Sequence, residues 1–90
     1  MSVAGEKKAV SLKMLGSIAA LTGVAELAME VDGDFRRGMA EVKARVDELT
    51  EGKILYHMAY NGISLARVDA EAVRIQEGDQ FVVLPVVLGG

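Results

Sequence analysis

Gln80-Phe81-Val82-Val83-Leu84-Pro85-Val86-Val87-Leu88 runs directly into Gly89-Gly90. Phe81, Val83 and Pro85 alternate with Val82, Leu84 and Val86, so an extended chain here is apolar on both faces. A strand with two apolar faces belongs in the middle of a sheet, where both sides are covered or docked. Glu77-Gly78-Asp79 supplies the turn that leads into it. The rest of the chain has to build a sheet around this segment.

Upstream, Val10, Leu12 and Met14 alternate with Ser11 and Lys13, which predicts a first strand over 9–15. Residues 16–23 read as a long, partly apolar connection bounded by Gly16 and Gly23. Leu27, Met29 and Val31 then share one face of a second strand over 26–31. Asp32-Gly33-Asp34 is a turn, with Asp34 placed to cap a helix. Phe35, Met39, Val42, Val46 and Leu49 recur at helical spacing, and Arg36, Arg37, Glu41, Lys43, Arg45 and Glu48 cover the other face. Gly52 is expected to end this helix as a left-handed cap. Lys53–Tyr60 predicts a third strand closed by the tight turn Asn61-Gly62. Residues 63–76 hold a short strand and irregular turns, with Ile63, Leu65, Val68, Val73 and Ile75 as buried candidates.

This order predicts an α+β fold: a mixed sheet of four to five strands packed on one main helix, its first and last strands side by side in the centre. One helix covers one face of such a sheet. The other face is expected to present an apolar patch, which Tyr56, Met58 and Tyr60 extend or not according to the face they take.

Ninety residues make one domain. Apolar residues at 51% and charged residues at 26% place it among globular chains. The net charge of −3, with no basic run beyond Lys7-Lys8 and Arg36-Arg37, argues against nucleic acid, which needs a clustered cationic footprint. The absence of cysteine excludes disulfides, thiolate metal sites and cysteine nucleophiles, and suits the cytoplasm. Lys7, Lys8 and Lys13 ahead of Met14–Leu21 imitate a secretory signal. The strand-like alternation of Val10, Leu12 and Met14 opposes that reading. Ser17, Thr22 and Glu26 interrupt the longest apolar run, so no membrane span is expected.

The sequence nominates no catalytic residue and no metal ligand. His57, the only histidine, reads as a packed or edge residue of its strand. Asp32 and Asp34 fall short of a calcium loop, and Gly16 and Gly23 do not form a phosphate-binding fingerprint. Ser11, Ser17 and Ser64 have no partnered histidine for a triad. Gly89-Gly90 is the chemically suggestive element, because two residues without Cβ can extend into a narrow channel.

Lys13-Met14-Leu15-Gly16-Ser17-Ile18, Gly23, Glu26-Leu27, Asn61-Gly62, Glu77-Gly78-Asp79 and Leu84-Pro85-Val86-Val87-Leu88-Gly89-Gly90 occur in an order that resembles the ubiquitin-like β-grasp proteins. The chain is most similar to the MoaD side of the MoaD/ThiS sulfur carriers, over about residues 9–90. It departs from their pattern at Met14-Leu15, where the family has two aromatics, at Ala19-Ala20, where it has Arg-Glu, and at Pro85-Val86, where it has two prolines. The resemblance implies a flexible N-terminal extension (1–8), a β-grasp domain (9–88) and a di-glycine tail (89–90). It also implies a carrier with no bound cofactor. An E1-like adenylating enzyme would use ATP to activate Gly90, and a sulfurtransferase would supply the sulfur for a thiocarboxylate. A MoaE-like large subunit of molybdopterin synthase would receive the tail, Leu88 and Gly89 included. Leu15, Leu84, Ile63 and Val86 are the implied apolar docking face. A protein modifier acting through Gly90, or a ThiS-like donor for thiazole synthesis, are the alternatives.

Overall fold

A computed structural model describes residues 6–86. The expectations placed on Leu88, Gly89 and Gly90 lie outside these residues. In chain order the elements are β1 (Lys7–Met14), α1 (Gly16–Thr22), β2 (Glu26–Asp32), α2 (Phe35–Thr50), β3 (Tyr56–Tyr60), β4 (Ile63–Ser64) and β5 (Gln80–Pro85), with a single 3-10 turn at Leu65–Arg67. The sheet order is β2-β1-β5-β3-β4. β5 runs parallel to β1, with Leu12 beside Phe81 and Met14 beside Val83, and antiparallel to β3. The strand whose two apolar faces demanded a central place therefore occupies it.

α2 forms where its stripe predicts. Asp34 accepts a hydrogen bond from the Arg37 N–H at 3.0 Å, filling one of the unsatisfied donors of the first turn. Phe35, Met39, Val42 and Val46 are buried against Val10, Leu12, Met14, Val31, Phe81 and Val83 on one face of the sheet. At its far end Glu51 takes the left-handed position at φ 55° and Gly52 follows at φ 69°, so the reversal begins one residue before the glycine expected to make it.

Other boundaries also move. β1 begins at Lys7 because Lys7 and Lys8 pair with Asp32 and Val31, and the Ala9 N–H reaches the Glu77 carboxylate at 3.0 Å. Residues 16–22 form a helix where only a connection was expected. Ile18 is fully buried, and the chain is closed by the Gly23 N–H on the Ala19 carbonyl at 2.9 Å. β3 starts at Tyr56, three residues after Lys53. Of the buried candidates in 63–76, Ile75 is fully buried and Leu65, Val68 and Val73 pack on the core, but Ile63 stands 52% exposed on the two-residue edge strand β4.

Met58 and Tyr60 resolve the question left open by Lys53–Tyr60. Both are buried on the helix side, opposite Val83 and Phe81, so they belong to the core and do not extend an outer patch. The Tyr60 ring meets Phe35 edge-on at 5.1 Å and Phe81 at 5.2 Å, an aromatic column joining α2 to β5. No helix among the described residues is long and apolar enough to cross a membrane.

Candidate functional site: the open face of the sheet

Strand alternation assigns the side chains left over by the core. Phe81 and Val83 face α2, so Val82 and Leu84 face the other way, and all the residues paired with those two share that outer face. Two hydrogen bonds carry the register past the strand ends. The Leu15 N–H donates to the Val83 carbonyl at 3.0 Å, which sets Leu15 beside Leu84. The Val86 N–H donates to the Leu55 carbonyl at 3.1 Å, which sets Val86 opposite Leu55. The outcome is an apolar strip of Val82, Leu84 and Val86 flanked by Leu15 on one side and by Leu55 and Ala59 on the other. Leu55 is 66% exposed, and Val82, Leu84, Val86 and Leu15 are only half-buried. This apolar strip, on the strand that precedes Gly89-Gly90 in sequence, is the candidate docking surface.

Three of the four docking residues expected from the sequence, Leu15, Leu84 and Val86, come together here. Ile63 does not: it pairs with Tyr60, whose side chain points to the core side, so pleat parity puts Ile63 on the opposite face of the sheet. Leu55 and Val82 were missed. Val82 already shared the face of Leu84 and Val86 in sequence, and Leu55 the alternation Leu55, His57, Ala59, but only the β3–β5 register shows which half of β3 faces out.

The patch is held at its tail end by α1. Gly16 adopts φ 57°, and a Cβ there would come within 3.4 Å of Pro85 Cγ. Any other residue would strain the backbone at this left-handed position, while its Cβ would rest at ordinary contact distance from Pro85. Polar groups frame the patch. His57 is exposed opposite Leu84, and Lys13 is exposed beside Val82.

A second polar cluster supports the entry of β5. The Tyr60 hydroxyl donates to the Asp79 carboxylate and lies 3.3 Å from the Arg74 carbonyl, and the Gln76 N–H donates to the same carboxylate at 2.8 Å. Burial would push the Asp79 carboxyl up. The hydrogen bonds from Tyr60, Gln76 and Asn61 outweigh it and hold the group below the usual carboxylate range. The same pairing, after burial, pushes the Tyr60 phenol upward. On β3's other end, burial and Asp47 push the Tyr56 phenol up to about 12, as its hydroxyl donates to Asp47 at 2.9 Å. A depressed Asp79 contributes stability that is fully present above the unfolded carboxylate pKa of about 3.9 and is lost as pH falls through the lower folded value. Tyr60→Phe is expected to cost about 2 kcal/mol at pH 7, because it removes a hydrogen bond to a charged group. It should also make the acid loss of stability shallower. Urea melts of both proteins from neutral to acid pH measure this, and an unchanged acid slope in Tyr60→Phe would contradict the role given to the hydroxyl.

No side-chain hydrogen bond among the described residues joins His57 to a serine, and no group of three His, Cys, Asp or Glu side chains there could hold a metal ion. Asp32 and Asp34 shape the turn before α2: Asp32 accepts from the Asp34 N–H at 2.8 Å.

Five strands in this order with a long helix on one face define a ubiquitin-like β-grasp fold. Solved structures share the architecture across nearly the whole chain. The HVO 2177 protein of Haloferax volcanii matches with a TM-score of 0.66 at 21% identity, over 93% of this chain and 88% of that one. The small archaeal modifier protein SAMP1 of Methanosarcina acetivorans matches with 0.66 at 16% identity, over 96% and 100%. A Pyrococcus furiosus protein provisionally named molybdopterin converting factor, subunit 1, matches with 0.65 at 19% identity, over 89% and 99%. At these identities the common property is the fold, and the resemblance read from the sequence holds at that level. No protein-family model matches the chain, and no curated protein matches it.

Proposed function

We propose that this protein is a ubiquitin-like sulfur carrier that works through the carboxylate of Gly90. The observation that carries the reading is the union of the open apolar face with β5, the central strand that continues in sequence into Leu88-Gly89-Gly90. A partner gripping Leu15, Leu84, Val86 and Leu55 holds the strand from which the tail departs, so docking energy is spent on positioning the reacting end. A carboxylate is a poor electrophile. An E1-like adenylating enzyme would join it to the α-phosphate of ATP, releasing pyrophosphate and leaving an acyl-adenylate with AMP as leaving group. Sulfide delivered by a sulfurtransferase would then displace AMP, and the resulting thiocarboxylate would carry a nucleophilic sulfur.

The sulfur acceptor we favour is a pterin precursor of the molybdenum or tungsten cofactor, with the tail received by a MoaE-like large subunit. The neighbour named as a molybdopterin converting factor subunit supports this. The neighbours named as archaeal modifiers support a second reading, in which the activated Gly90 forms isopeptide bonds with lysines of other proteins. Intact mass after incubation with the adenylating enzyme of the same organism, ATP and a sulfur donor decides. The carrier gives a species with one oxygen replaced by sulfur. Other proteins' lysines joined to this chain's C-terminal peptide through Gly90 (residues 75–90 after tryptic cleavage at Arg74), with no such species, would establish the modifier instead, and neither product would overturn both.

A further inference from the structure

On the helix layer, away from the open sheet face, α2 and residues 65–70 leave a groove of about 370 Å³. Phe35 and Met39 form its floor, Leu65 and Val68 its far wall, and Arg36 and Lys43 its rim. Its size falls in the range of natural ligand clefts. Every charged side chain lining it is cationic, although the chain as a whole carries −3. Lys43 forms no ion pair among the described residues. Arg36 meets Glu71 at 3.3 Å, but these side chains are 68% and 79% exposed, a pairing weak enough for an incoming carboxylate to replace.

We propose that this groove is a second docking site, for a short acidic protein segment with an apolar anchor. Arg36 and Lys43 lie two turns apart on α2, roughly 10 Å along its axis. An extended segment spans that distance in about three residues. Alternate side chains of an extended segment share a face, so the segment that fits has two carboxylates four positions apart with an apolar side chain midway, which settles on Met39, Leu65 and Val68 while the acids reach Arg36 and Lys43. The groove and the open face lie on opposite layers, so both can be occupied in one complex. The site does not depend on what happens at Gly90.

The probe is a capped Glu-Ala-Leu-Ala-Glu peptide titrated into isotope-labelled full-length protein and followed by amide NMR. Saturable shifts at Met39, Ala40, Lys43, Val68 and Ala70 are expected, with Val82 and Leu84 unmoved. Lys43→Glu, whose own spectrum should show an intact fold, is expected to weaken binding roughly tenfold or more, the effect of turning one attraction into repulsion. Leu84→Asp should bind the peptide as the natural chain does, which separates this site from the sulfur-carrier reading. Absent shifts at millimolar peptide, equal shifts with Lys-Ala-Leu-Ala-Lys or Glu-Ala-Ser-Ala-Glu, or shifts on the sheet's open face would each overturn the proposal.

Discussion

Leu84→Asp is expected to reduce adenylation of Gly90 by roughly 100-fold while costing the domain about 1–2 kcal/mol of stability, too little to unfold it. Leu84 is at the centre of the open face, between Leu15 on the β1 side and His57 on β3, and it is half-buried in the free protein. Docking would complete its burial. Central, fully desolvated apolar side chains dominate interface energies at 2 kcal/mol or more, and a carboxylate in their place must also be stripped of water without a partner. The folded monomer pays less than the complex does, because Leu84 is only half-buried there and gives up a fraction of a full leucine's burial. Ala44→Asp on the exposed side of α2 is the matched control and should leave adenylation untouched. Pyrophosphate release in the presence of the adenylating enzyme measures the rate, and thermal melts measure the fold. Equal rates for Leu84→Asp and the control would remove the open face from the mechanism, even if Gly90 itself proved to be activated.

Much of this arrangement was readable before any coordinates. The doubly apolar Phe81–Val86 run required a central strand, the stripe from Phe35 to Leu49 required a helix against the sheet, and Asn61-Gly62 required a tight turn, observed with Asn61 at φ 49° and Gly62 at φ 86°. Each of these signals is local. α1 was not legible because seven residues make two turns, too few for a period to emerge, and Ile18 is its one buried side chain. The outer face of β3 was not legible for a different reason. Leu55-Tyr56-His57-Met58-Ala59-Tyr60 is apolar or amphipathic at every position, so its alternation fits either orientation. Pairing with β5 breaks that symmetry, sending Met58 and Tyr60 inward and leaving Leu55 for the docking strip. The same parity moved Ile63 to the wrong side for a site it had seemed to join.

Gly38→Ala is expected to destabilise the domain by about 3 kcal/mol, with the sign opposite to what the helix alone would give. In an exposed helix interior, glycine costs about 1 kcal/mol relative to alanine, so the substitution reads as an improvement from α2's sequence. Gly38 is buried, and a Cβ there would stand 2.5 Å from the Asp32 carbonyl oxygen and 2.3 Å from Ile75 Cδ1. The isoleucine could turn its terminal methyl aside. The carbonyl cannot move independently, because Asp32 is tied to α2 through its own N–H on the Glu41 carboxylate at 2.6 Å and through its side chain to the Asp34 N–H. Relieving the contact means lifting α2 from the end of β2, and that opens the packing of Val31 and Ile75 along with it. Urea denaturation at neutral pH measures the loss, and a Gly38→Ala protein as stable as the natural chain would show that α2 does not approach β2 so closely. The contact joins Gly38 to the end of β2, outside the helix, which is why no periodicity within α2 could announce it.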